Sequence, residues 1–65
     1  MVTKIGIVAG EIWHYLDEKG KVKLSQLFSD LQADNALILM SLGWLAREGH
    51  VVMENGVDDF EVYLR

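Results

Sequence analysis

Neither cysteine nor proline occurs among the 65 residues. The first absence removes disulfides, thiolate metal sites and thiol nucleophiles together, and fits a reducing compartment. The second leaves the chain without its strongest helix and strand breaker. Positive charge is scarce as well: six lysines and arginines stand against ten aspartates and glutamates, a net charge of −4, so the summed field repels a phosphate backbone. No apolar run approaches the roughly 18 residues that cross a bilayer, so no membrane partner is expected. The opening Met-Val-Thr-Lys-Ile-Gly lacks the basic region and cleavage site of a signal peptide, and the chain is expected in the cytoplasm.

What remains is largely apolar: 51% of the residues are hydrophobic, enough for one small core. With no composition shift, repeat or linker, residues 1–65 read as a single domain. A lone core of this size supplies only about 3–5 kcal/mol, and such domains often add a staple. Disulfides and thiolate metal sites being excluded, self-association is the staple left.

At about 100° per residue, Ile5, Val8, Ala9, Ile12 and Leu16 form one stripe of a helix over Lys4 to Lys19, with Trp13 and Tyr15 on its shoulders. Glu11, His14 and Glu18 lie opposite. Thr3 is suited to cap its start and Gly20 to end it. Gly6 and Gly10 weaken this helix by about 1 kcal/mol each relative to alanine, which points to a close backbone approach; a tight crossing within the chain is the expectation, with a contact between copies as the alternative. Lys21-Val22-Lys23 alternates like a short strand. Leu24, Leu27, Phe28 and Leu31 then mark a second, short helix.

Gln32 and Ala33 make a tight connection, and Asp34 caps a third helix in which Ile38, Leu42 and Leu45 share a face and Gly49 is the stop. From His50 the pattern becomes a hairpin: His-Val-Val-Met-Glu, a polar turn, then Phe-Glu-Val-Tyr-Leu. A two-residue Asn55-Gly56 turn sets Val52 against Asp59 and Met53 against Asp58. A longer loop pairing Val52 with Val62 is the better fit.

Helix, short strand, helix, tight turn, helix and two-stranded hairpin is the element order of a winged helix-turn-helix domain. The expected fold is therefore α+β, three helices with a short strand and a C-terminal two-stranded wing. Ile5-Gly6 with Ala9-Gly10-Glu11-Ile12-Trp13, and Leu42-Gly43-Trp44-Leu45-Ala46-Arg47-Glu48-Gly49, resemble a small prokaryotic winged-helix family of unassigned function. That resemblance, spanning nearly the whole chain, implies the fold and a possible DNA-binding ancestry rather than an activity.

A winged helix that reads DNA places donors and acceptors of its third helix in the major groove. With Ile38, Leu42 and Leu45 on the core, the opposite arc holds Ala36, Leu37, Met40, Gly43, Trp44 and Arg47. Covering a tryptophan, a leucine and a methionine is worth several kcal/mol at about 25 cal/mol per Å². The cover is either intramolecular, with Trp44 under the wing and Leu37 against the N-terminal segment, or a second protein surface. The latter makes a homodimer through Ala36, Leu37, Met40, Gly43 and Trp44 the leading expectation.

The alternative is a DNA-binding regulator with Asn35 and Arg47 at the duplex and Lys21 and Lys23 on the flanking backbone. Glu54, Asp58, Asp59 and Glu61 give the wing the wrong sign for that.

Catalytic groups do not converge in the sequence. His14 and His50 have no partner at metal spacing beyond the surface trio Glu11, His14 and Asp17, which reads as a solvated face. Ser25, Ser29 and Ser41 sit in no nucleophile motif, so no enzyme, cofactor or metal is expected.

Overall fold

A computed structural model describes residues 2–65, as three helices and a three-stranded antiparallel sheet: α1 (Val2–Lys19), β1 (Val22–Lys23), α2 (Leu24–Asp30), α3 (Asn35–Arg47), β2 (Val51–Asn55) and β3 (Phe60–Leu64). The sheet order is β1-β3-β2, so the last strand is central and joins the short strand to the wing. Val8, Ala9, Ile12 and Leu16 of α1 close over Leu24 and Leu27 of α2, Ile38, Leu42 and Leu45 of α3, and Val22, Val51 and Val62 of the sheet. The expected α1 stripe is thus the core face, with Ile5 only half-buried at its end.

Two glycines end the long helices by left-handed geometry. Gly20 (φ 77°) donates its N–H to Leu16 O at 2.8 Å. Gly49 (φ 80°) donates to Ala46 O at 3.0 Å while His50 donates to Leu45 O at 2.9 Å, the paired bonds of a Schellman stop. The helix starts differ from expectation. Val2 is already helical, which places Thr3 inside the first turn and not at a capping position. Asp34 does precede α3, but its carbonyl accepts from Ile38 N–H at 3.0 Å and its side chain makes no cap bond.

The wing closes through a long loop, as expected, yet one residue away from the expected register. Val51 opposes Leu64, Val52 opposes Tyr63 and Met53 opposes Val62, where Val52 against Val62 was expected. The reason is burial. Opposed residues share a face, so pairing Val52 with Val62 sends Val51 and Val62 to opposite sides, whereas both are buried in the core. A Gly56 N–H to Asp59 O bond of 2.8 Å closes the loop.

Ser41, fully buried where α3 crosses α1, donates its hydroxyl to Ile5 O at 3.2 Å. No helix among the described residues is long and apolar enough to cross a membrane.

Candidate functional site

The outward arc of α3 is divided by α1. Leu37 lies half-buried against the core, at a shallow depression shared with Lys4, Ile7 and Ala33. It therefore has the cover from the N-terminal segment that the sequence allowed for. Trp44 lies on the other flank and is 48% exposed, so the wing does not cover it. It lines a shallow groove of about 360 Å³ with Gly6, Gly10 and Trp13 of α1, and with His50 at the root of the wing. Met40 (41% exposed), Ala36 and Gly43 open directly to solvent.

Among the described residues no backbone approaches Gly6 or Gly10. A Cβ placed on either, or on Gly43, meets nothing within 4 Å. The tight intramolecular crossing is therefore ruled out, because α1 meets α3 through Ser41 and larger core side chains on a different face. Two or three mid-helix glycines at about 1 kcal/mol each are a sizeable cost to a small domain, and nothing inside the chain uses the space they leave.

The exposed apolar surface is wider than the α3 arc. Leu39, Met40 and Trp44 on α3, with Met53, Val57 and Phe60 on the wing, make six of the eight large hydrophobic residues that stand exposed among those described; Ile7 and Trp13 are the others. Leu39 was open to discovery on the helical wheel, beside the core position Ile38. Met53 and Phe60 were hidden by the register: both lie on the core-facing side of the hairpin, near its distal end.

The four residues of the DNA alternative, Asn35 and three cations, do not converge on one free surface. Asn35 and Arg47 are exposed near opposite ends of α3. Lys21 pairs with Glu54 at 3.1 Å and Glu61 at 3.7 Å, and lies 4.9 Å from the centre of the Tyr63 ring. Lys23 pairs with Asp58 at 3.1 Å. Glu54 and Glu61 are directly opposed across the wing, a repulsive arrangement that Lys21 offsets by bridging them. The hydrogen bond with Glu54 raises the Lys21 ammonium above its usual range and lowers the carboxyl of Glu54.

Asp59 is used internally too. Its Oδ2 accepts from Ser25 N–H at 3.0 Å and its Oδ1 from Phe60 N–H at 2.8 Å. The wing acids thus hold β1 and the start of α2 in place.

Glu11, His14 and Glu18 border a depression with Tyr15 and Asp30 on the far side of α1. No group of three or more potential metal ligands comes together among the described residues. Ser41 is the buried polar side chain of the core and is hydrogen-bonded.

A family model described as a winged helix-turn-helix domain, DUF2582, matches residues 1–64. An uncharacterised protein of Methanocaldococcus jannaschii, MJ1608, is 41% identical over a 54-residue alignment covering 78% of this chain and 76% of that protein. The solution NMR structure of protein BT2368 from Bacteroides thetaiotaomicron superimposes with a TM-score of 0.82 at 31% identity, over 95% of this chain and 76% of its own.

Proposed function

We propose that this chain, which belongs to the winged helix-turn-helix domain family DUF2582, is a non-enzymatic protein-interaction module that associates with itself through its third helix. One observation carries the reading: the elements that a DNA-reading winged helix turns to the duplex, α3 and the wing, here hold six of the eight exposed large hydrophobic residues. Such surface gives up little to water on meeting another protein and reads no base edge. Ala36, Met40, Gly43 and Trp44 form the contact, with Trp44 as its anchor. Leu37, half-buried on the other side of α1 from Trp44, is left with its cover inside the chain.

The DNA-binding alternative draws on the fold and on the exposure of Asn35 and Arg47. It is the weaker reading because Lys21 and Lys23, its remaining cations, are paired with wing carboxylates.

Light scattering across a wide dilution series tests the proposal. Twice the chain mass at high concentration, falling to a monomer in Met40→Lys with Trp44→Lys while helical circular dichroism is kept, is the expected result. A monomer throughout, combined with salt-sensitive binding to duplex DNA, overturns it in favour of the alternative.

A further inference from the structure

The groove between α1 and α3 has two kinds of wall. Trp13 and Trp44 stand 39% and 48% exposed at its sides, while Gly6 and Gly10, one helical turn apart, leave its floor open where side chains would otherwise stand. Resting on the self-association reading above, we propose that the occupant of this groove is a second copy of the chain, related by a two-fold axis, whose Trp44 seats on the floor made by Gly6 and Gly10.

Three features favour a second copy over a different partner. The groove supplies both halves of the contact, a protruding indole and a receiving floor, as an isologous interface requires. Its lining carries no acidic side chain and no lysine or arginine in a chain of net charge −4, so two copies meet there without bringing like charges together. One turn beyond the tryptophans, α1 carries Asp17 and α3 carries Arg47 and, at its C-cap, Glu48, all exposed, so the rim of each copy holds both signs and Asp17 can be exchanged against Arg47.

The available area is small. α1 and α3, of 18 and 13 residues, are about 27 and 20 Å long and roughly 10 Å wide, which gives a face of roughly 500 Å² in projection. A standard interface uses about 800 Å² from each partner. The interface is therefore below standard size, and the dilution series has to extend to millimolar concentration.

The test exploits opposite signs. Because a Cβ at Gly6 or Gly10 meets nothing within the chain, Gly6→Ala with Gly10→Ala raises the melting temperature of the dilute monomer through helix propensity. If the glycines are the floor of the interface, the same two methyl groups weaken the dimer at least tenfold by sedimentation equilibrium. They also abolish the blue shift of tryptophan emission that concentration produces in the unmodified chain. A raised melting temperature with an unchanged dimer constant overturns this arrangement and leaves self-association through α3 standing. An unmodified chain that stays monomeric at millimolar concentration overturns both.

Discussion

Asp59, at the end of the wing loop, accepts a hydrogen bond from the backbone N–H of Ser25, in the first turn of α2, at 3.0 Å across 34 residues of sequence. The residue before α2 is Lys23, whose side chain cannot accept this bond, so a carboxylate from the wing does the capping. The bonds from the Ser25 backbone and then from its hydroxyl are the main causes that lower the Asp59 carboxyl below its usual range. A depressed carboxylate contributes stability that is present above its unfolded value and lost as pH falls through the folded one. Asp59→Ala should therefore lower the melting temperature at pH 7, and the gap from the parent should close below the ordinary carboxylate range. A gap that is constant between pH 7 and pH 3, followed by thermal circular dichroism, contradicts the cap.

The Tyr15 hydroxyl donates to Asp30 Oδ2 at 2.6 Å and ties α1 to the end of α2. That bond, then burial and the charge of Asp30, raise the phenol above its usual value. The contribution is complete below the ordinary tyrosine pKa of about 10 and is lost as pH rises through the raised value. Tyr15→Phe should cost about 0.5–1 kcal/mol in urea unfolding at neutral pH, toward the low end for a hydrogen bond because water reaches it. The cost should vanish in strong alkali.

The elements were legible because each is set by nearest-neighbour chemistry. The Ile5–Leu16 stripe, the Gly20 and Gly49 stops and the alternation after His50 all act within one or two turns of chain. What escaped depends on contacts between distant segments. The one-residue register shift follows from Val51 and Val62 having to share a core whose third wall is α1. The capping role of Asp59 needs α2 to lie beside the wing loop, and the pairing of Lys21 with Glu54 joins residues 33 apart. At the candidate site the α3 arc was readable from its own periodicity. The sequence signalled the participation of α1 only as a cost, two glycines in a helix, and periodicity cannot say whether such space is filled from within the chain or from outside it.

Glycine substitutions should separate conformational from steric demands. Gly49→Ala forces a Cβ into left-handed geometry at the α3 stop and should cost roughly 1 kcal/mol. Gly56 has no such backbone demand, yet a Cβ there falls 2.5 Å from Asp59 O, inside the wing loop. Gly56→Ala should cost about 1–3 kcal/mol, the range for forced overpacking, and should speed amide exchange across Val51–Asn55 and Phe60–Leu64 before the helices loosen. Uniform exchange acceleration in both variants contradicts this division.

Whether the wing acids hold the domain off nucleic acid can be tested by releasing its lysines. Glu54→Gln and Glu61→Gln with Asp58→Asn removes the carboxylates paired with Lys21 and Lys23 and brings the net charge from −4 to −1 while keeping side-chain shape. If pairing with the wing is what silences these cations, the triple variant should gain weak duplex-DNA binding at low ionic strength. Its logarithmic salt slope should be near −2, about −0.9 for each phosphate contacted. Fluorescence anisotropy with a random duplex reads this directly, with the parent chain as reference. Parent binding that already shows such a slope means that cations outside the wing pairs, Arg47 among them, suffice and favours the DNA-binding alternative. Absence of binding in both places the cause in the apolar surface of α3, since the charges would then be free and the shape of the fold unchanged.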